Sequence, residues 1–276
     1  MAVGGNGVGI AAMLLAMASF VINDAFTKVA GEALPVAQIM VLRGMIATLL
    51  GIGVALSTGT FRPLTQLLRP AIGYRAGGEI GATLLFLFGL MNMPFAETNA
   101  ILQFTPLVVT AGSALFLGER VGWRRWGATF VGLFGVLLIV QPGAAGFNSY
   151  SLLVLLSVAF IALRDLATLY IDRALPSIMI AVSSSLSVLG AGVATSLFQT
   201  WVMPTPAQLA LLAGAGVFLV AGYYFITVAL RQGEVSVIAP FRYSIVVYAI
   251  VTGSNGVVWE QSATVPPGSS QALSLA

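Results

Sequence analysis

The ionisable residues of this chain stand inside long apolar stretches. In hydrocarbon a charge at mid-depth costs roughly 2.5–3.5 kcal/mol or more unless it is paired or faces a cavity. Asp24 lies six residues from the end of the first stretch, and Arg43 seven residues into the second, counted from the same end. Both are then about 10 Å deep, so an Asp24–Arg43 pair is geometrically sensible. Lys28 follows Asp24 by one turn on the same face and snorkels to the interface. A second group gathers toward the opposite end: Glu79, Arg164, Asp165 and Arg242. Its two acids and two bases sum to zero charge. Arg164 and Asp165 are sequential, so they are expected to point in different directions and at most one to face any given partner. Two readings stay open for the group. It is a set of ion pairs that lock helices together, or it is a gate or a site for a zwitterion.

Uncharged polar residues extend the second group. Asn99 and Gln103 are four apart and share a helix face, with Thr98 and Thr105 nearby. They serve interhelical hydrogen bonding or line a cavity. Tyr223 and Tyr224 belong to an interfacial aromatic belt or to the same cavity. Phe104 and Phe241 are candidates for an apolar pocket. Pro106 and Pro240 each free a backbone carbonyl, which is tolerated where a cavity is lined. A zwitterionic amino acid needs a donor for its carboxylate and an acceptor for its ammonium. An Arg guanidinium clamps the former through two hydrogen bonds, and Glu79 or the amides of Asn99 and Gln103 receive the latter. The candidate substrate-binding set is therefore Glu79, Asn99, Gln103, Arg164, Tyr223 and Arg242. Asp24, Arg43 and Asp165 are the candidate structural or coupling charges.

The chain contains no Cys and no His. Disulfides, thiolate nucleophiles, zinc–imidazole sites and Ser–His or Cys–His catalysis are thereby excluded. A Ser–Lys dyad would have to use Lys28, the only Lys, which has no serine in register. No G-x-x-x-x-G-K-[ST] phosphate loop is present, so direct ATP drive is not expected. No cofactor and no metal are implied, catalysis is not expected, and nucleic acid is not a partner.

The elements that position these residues follow from composition. Hydrophobic residues make up 58% and charged residues 8%, with a mean hydropathy of +0.99. A soluble domain carries about 25% charged residues, so this is an integral membrane protein. The apolar runs are long and continuous, unlike the short alternating strands of an outer-membrane barrel. Nine helices are expected at 8–29, 36–57, 74–94, 97–117, 123–141, 149–171, 177–200, 206–229 and 235–256. Small residues four apart, Gly77/Gly81 and Ser187/Ala191, suit close helix packing. No cleavable signal peptide is evident, because the first segment contains Asp24 and is too long. The net charge is +3, but its distribution says more. Arg62, Arg69 and Arg75 sit in or beside the second connection, and Arg120, Arg124 and Arg125 in or beside the fourth. Arg173 marks the sixth and Arg231 the eighth. Among basic residues the odd connections hold only Lys28, and 142–148 and 201–205 carry no charge. By the positive-inside rule the even connections and the N-terminus are cytoplasmic.

The chain also reads twice. Asp24 and Asp165 stand 141 positions apart, and so do the turns Ala33-Leu34-Pro35 and Ala174-Leu175-Pro176. An odd number of spans separates the copies, so the second is inserted upside down. Inverted repeats around a central site mark secondary transporters. Two halves are expected, 1–145 and 146–276, with five helices in the first and four evident in the second. The repeat predicts a tenth helix starting near Gln271, missing or truncated here. The tail from Gly253, with Trp259-Glu260 and Pro266-Pro267, is too polar and too short to span. A passive channel is the rival reading, but it needs a continuous polar stripe, whereas polar residues here cluster at two depths. An intramembrane enzyme is a weaker rival.

Short motifs carry a family likeness. Leu115-Phe-Leu-Gly-Glu119-Arg120 closes the fourth helix, Ala239-Pro240-Phe241-Arg242-Tyr243 opens the ninth, and Lys28 and Arg43 come early. With these the chain resembles the drug/metabolite transporter superfamily, in particular its EamA-type exporters. Glu119 shifted by 141 lands on Glu260, as the repeat requires, but Trp259 stands where the family's Gly is expected. The resemblance implies an all-α integral membrane fold of ten helices in two inverted five-helix halves, with a substrate cavity between them. It also implies export of small metabolites, above all amino acids, aromatic and other apolar ones included. Export would run across the bacterial inner membrane by alternating access. The expected partners are the small-molecule substrate and membrane lipid, with a monomer as the expected state.

Overall fold

The computed structural model describes residues 3–31, 34–93, 95–119, 121–140 and 149–253. Every regular element among them is helical. The order is α1 Val3–Ala30, α2 Val36–Ser57, α3 Pro70–Asn92, α4 Phe95–Leu102, α5 Thr105–Phe116, α6 Trp123–Val140, α7 Ser149–Leu169, α8 Ser177–Ser196, α9 Pro206–Gln232, α10 Val235–Ile238 and α11 Ser244–Gly253. Short 3-10 turns at Leu64–Leu68 and Ala239–Tyr243 join α2 to α3 and α10 to α11. Among the described residues, six segments are long and apolar enough to cross a membrane: Asn6–Ala30, Val36–Ser57, Glu97–Phe116, Ser149–Leu169, Ser177–Ser196 and Pro206–Gln232. This is a multi-pass all-α fold.

Proline sets most of the starts. Its fixed φ and missing N–H suit the edge of a helix, where the N–H has no partner anyway. Pro70 opens α3 and Pro206 opens α9, the latter behind a capping box between Thr205 and Gln208. Pro35 caps α2 with φ −59°, ψ 144°, and Pro176 caps α8 with φ −59°, ψ 143°. Pro35 and Pro176 therefore deliver their helices with the same backbone geometry.

The nine expected helices correspond to these elements with three departures. The fourth is split, because α4 ends at Leu102 and α5 restarts at Thr105, with two residues between them. Pro106 gives no N–H to the carbonyl of Leu102. The ninth is three pieces, α10, the 3-10 turn with Pro240, and α11. The third begins at Pro70 rather than residue 74, and that shift moves Arg75 from the first turn to more than one turn inside the helix. Arg75 is fully buried, so it is not the loop charge the sequence suggested. The connection at 142–148, Arg120 and everything after Gly253, including Trp259, Glu260 and the expected tenth helix, lie outside the described residues.

The principal packing pairs are α1 on α9, α3 on α7 and α2 on α8. Smaller contacts join α1 to α11, α5 to α7, α2 to α9 and α3 to α8. Glycines allow the closest approaches. A Cβ on Gly78 would sit 2.8 Å from the Arg164 amide nitrogen and 2.9 Å from the Phe160 carbonyl, and one on Gly81 would strike the Phe160 ring. Gly77 faces open space, so the expected Gly77/Gly81 contact is made by Gly78 and Gly81 instead. Gly51 abuts Val182, and Gly192 abuts Met40 and Val41, where α2 crosses α8.

Polar contacts gather the connections at the two ends. At one end Arg69 pairs with Asp172 at 3.0 Å, Arg231 donates to the Leu175 carbonyl at 2.7 Å, and Arg125 pairs with Glu234 at 2.6 Å. The Ala174 amide and then Arg69 hold the exposed Asp172 carboxyl below the usual carboxylate range. At the other end Lys28 donates to the Leu90 carbonyl at 2.5 Å. There Gln38 also exchanges two hydrogen bonds with the Val202 backbone, at 2.7 and 3.0 Å.

Candidate functional site

A cavity opens between α1, α2, α3, α7, α9 and the two broken helices. It holds about 790 Å³ of empty space including its mouth. Much of its wall is apolar, from Met17, Phe20, Phe86, Leu102, Leu219 and Ile245. Set into that wall are Asp24, Arg43, Glu79, Gln103, Arg164, Tyr223 and Arg242. An apolar pocket with a few converging polar groups is the usual form of a small-molecule site.

Most of the charges form one connected network. Tyr223 donates its hydroxyl to Glu79 Oε1 at 2.8 Å, and Thr83 donates to the same oxygen at 3.3 Å. Arg164 reaches Glu79 at 3.4 Å and, through Nε, Asp165 Oδ1 at 2.9 Å. Asp165 Oδ2 accepts from Arg242. α3, α7, α9 and the 3-10 turn after α10 are thus tied through two carboxylates. Asp165 is wholly buried behind the wall and does not line the cavity.

On the opposite wall the arrangement differs. Arg43 Nη1 donates to Asn23 Oδ1 and to Thr27 Oγ1, each at 3.3 Å. Asn23 Nδ2 in turn donates to Asp24 Oδ1 at 2.9 Å. The amide therefore stands between the two charges.

Several expectations change here. Asp24 and Arg43 make no direct ion pair; depth along the helices brought them level, but the Asn23 amide occupies the line between them. Arg164 and Asp165 do contact each other, because the long guanidinium arm folds back over its neighbour, while Arg164 also holds Glu79 and Asp165 also holds Arg242. Tyr223 is a cavity residue, 2% exposed, not an interfacial anchor. Gln103 lines the cavity and donates to the Asn99 carbonyl at 3.0 Å, whereas Asn99 is buried away from it. Phe104 packs in the core and Phe241 is 37% exposed, so neither forms the apolar wall.

Sequence reasoning missed Asn23, Thr27, Thr83, Phe20, Phe86 and Arg75. Arg75 donates to Thr168 Oγ1 and to the Arg164 carbonyl, and its Nε and Nη2 have no hydrogen-bond partner. Pro70 was the available signal, since a proline at the first helical position places Arg75 more than one turn inside. Asn23 had a weaker signal, as the residue next to Asp24 in the repeated stretch.

Comparisons with known proteins agree with this architecture. The profile described as the EamA-like transporter family matches residues 7–141. A riboflavin transporter of Rhizobium johnstonii is 31% identical over 66% of this chain, and the match spans 57% of that protein's length. The pseudopaline exporter CntI of Pseudomonas aeruginosa is 28% identical, over 87% of this chain and 84% of that one. An S-adenosylmethionine uptake transporter of Rickettsia conorii is 24% identical, over 88% and 82%. A solved crystal structure superposes with a TM-score of 0.75 at 19% identity, covering 97% of this chain and 91% of that one, which speaks to the fold alone.

Proposed function

We propose that this chain is a secondary transporter of small metabolites in the bacterial inner membrane; its membership of the EamA/drug-metabolite transporter superfamily is supported by the family match and by relatives aligned over most of its length. Its role is transport rather than catalysis. The substrates named for the relatives differ, so they set a class and not a compound. Amino acids, apolar ones foremost, are the substrate class. The observation that carries this is a membrane-buried cavity that pairs guanidiniums and carboxylates with a largely apolar wall. A zwitterionic head group suits the charges, and a hydrophobic side chain suits Phe20, Phe86 and Leu219.

The mechanism is alternating access of two inverted halves. The packing supports it. Under the 141-residue shift, the first helix maps onto α7 and the third onto α9, so α1 on α9 and α7 on α3 become the same contact. The Gly51–Val182 and Gly192–Val41 approaches exchange under the same shift. The N-terminus is cytoplasmic, because Arg62, Arg69, Arg124, Arg125, Arg173 and Arg231 share connections of one parity. Export is the expected direction, and the chain acts as a monomer.

The test is flux of a radiolabelled amino-acid panel in proteoliposomes, with and without a pH gradient. Saturable, competable flux of apolar amino acids is expected. Absence of flux for every amino acid, with active protein shown by transport of another metabolite, overturns the substrate class. Flux that never saturates points to a channel.

A further inference from the structure

We infer that the head group of the substrate is bound by Arg43 and Asp24, across the Asn23 amide, and that the ligand is therefore read as an α-amino acid by both its carboxylate and its ammonium. This rests on the transporter reading and locates the head group within the same cavity.

The argument is one of unspent valence. Glu79 is met by Tyr223, Thr83 and Arg164, and Asp165 by Arg164 and Arg242. A ligand carboxylate seated on Arg164 or Arg242 must compete with a carboxylate already in place. Arg43 is different. It is 3% exposed, lines the cavity, and among the described residues makes hydrogen bonds only to the neutral Asn23 and Thr27. Its Nε has no hydrogen-bond partner among the described residues; Arg242 Nε shares that condition, but Arg242 already holds the Asp165 carboxylate. A guanidinium is always charged and offers five donors in a rigid fork matched to a carboxylate. Burying one with neutral partners alone is costly unless an anion completes it.

Asp24 mirrors this condition. It is buried, lines the cavity, and accepts one hydrogen bond, from Asn23. The Asn23 amide fixes the spacing. Its oxygen must face Arg43 and its nitrogen must face Asp24, since only that orientation gives each charge a complementary dipole. The amide keeps the two charges from collapsing onto each other. An α-amino acid carries its own carboxylate and ammonium on adjacent atoms, and it completes both sites at once. The surrounding charge agrees. Around the cavity four buried guanidiniums, of Arg43, Arg75, Arg164 and Arg242, face three buried carboxylates, of Asp24, Glu79 and Asp165. Among the described residues of the cavity wall, Arg43 is the guanidinium with no carboxylate within ion-pair distance.

The test is competition against radiolabelled phenylalanine counterflow in proteoliposomes of the full chain, with three ligands. Phenylalanine carries both charges, phenylalaninamide lacks the carboxylate, and 3-phenylpropionate lacks the ammonium. Wild-type protein should prefer phenylalanine to either analogue by about tenfold or more. Arg43→Gln should weaken phenylalanine and 3-phenylpropionate by about tenfold or more and leave phenylalaninamide unchanged. Asp24→Asn should do the converse. Asn23→Asp is the independent variant. It supplies Arg43 with an internal carboxylate, keeps the side-chain size, and should abolish the preference for a ligand carboxylate while the protein stays monodisperse. Equal weakening of all three ligands in these variants, or wild-type selectivity in Asn23→Asp, overturns the inference and leaves transport standing. A wild-type protein that moves no amino acid overturns the substrate class and this inference with it.

Discussion

Asp165 offers the sharpest test of the charged network. It is fully buried and holds two guanidiniums, Arg164 at 2.9 Å and Arg242. Asp165→Asn keeps the shape but strips the charge from both contacts. Arg164 retains Glu79 at 3.4 Å, whereas Arg242 is left with no carboxylate among the described residues. Removing one partner of a buried pair costs about 3–5 kcal/mol, a large share of the roughly 5–15 kcal/mol that holds a typical protein folded. Arg242→Gln is milder, because Asp165 keeps Arg164; about 1–3 kcal/mol is expected, the cost of one lost charge-assisted bond. The double variant Asp165→Asn/Arg242→Gln removes the orphaned charge and should recover part of the loss, giving a coupling of about 0.5–3 kcal/mol. The assay is the thermal midpoint of detergent-purified protein, with SDS titration for relative free energies. Simple additivity of the two substitutions, or a single Asp165→Asn no worse than Arg242→Gln, refutes the reasoning.

Three further outcomes can be checked. Gly78→Ala places a methyl against the α7 backbone and should cost about 1–3 kcal/mol of stability, whereas Gly77→Ala, which meets nothing within 4 Å, should leave the melting midpoint unchanged. A cysteine-free chain allows clean accessibility mapping: Met203→Cys, 91% exposed, should react with an impermeant maleimide in intact cells, and Leu64→Cys, 49% exposed, only after permeabilisation. Gln103→Ala should raise the KM for flux without lowering stability, while Asn99→Ala, away from the cavity wall, should lower the melting midpoint at unchanged KM.

Helix number and most boundaries were legible because each start is written in local chemistry. Pro35, Pro176 and Pro206 fix where α2, α8 and α9 begin, whatever packs against them. Depth was legible too, since rise per residue is constant. That reasoning put Asp24 level with Arg43, and Asp165 level with Arg242. It gives one coordinate only. Rotation about the helix axis and the direction of a long side chain come from packing, and there the sequence reading failed. It could not see Asn23 turned between Asp24 and Arg43, nor Arg164 folded back onto Asp165. It also sorted Arg75 by its neighbours Arg62 and Arg69, although the residue lies inside α3 against α7.

The difference between the two walls bears on how a ligand drives the transport cycle. A ligand shifts a conformational equilibrium only by its differential affinity for the two states. Asp24 and Arg43 lie on α1 and α2, both in the first of the proposed halves. A head group bound there alone moves with one half and favours neither state. The apolar wall is shared, with Phe20 and Phe86 from the first half and Leu219 and Ile245 from the second. Under the proposed alternating access, the side chain of an amino-acid substrate would bridge the halves, and its burial would be the term that differs when they rock. On that proposal selectivity and turnover would separate by chemistry: the head group would decide whether a molecule binds, and the side chain how strongly it pulls the halves together. Along a series of glycine, alanine, valine and leucine the carboxylate-dependent affinity increment should stay constant. The rate of counterflow should change with side-chain size instead. A rate that is flat across that series places the coupling in the charged network, not in the apolar wall.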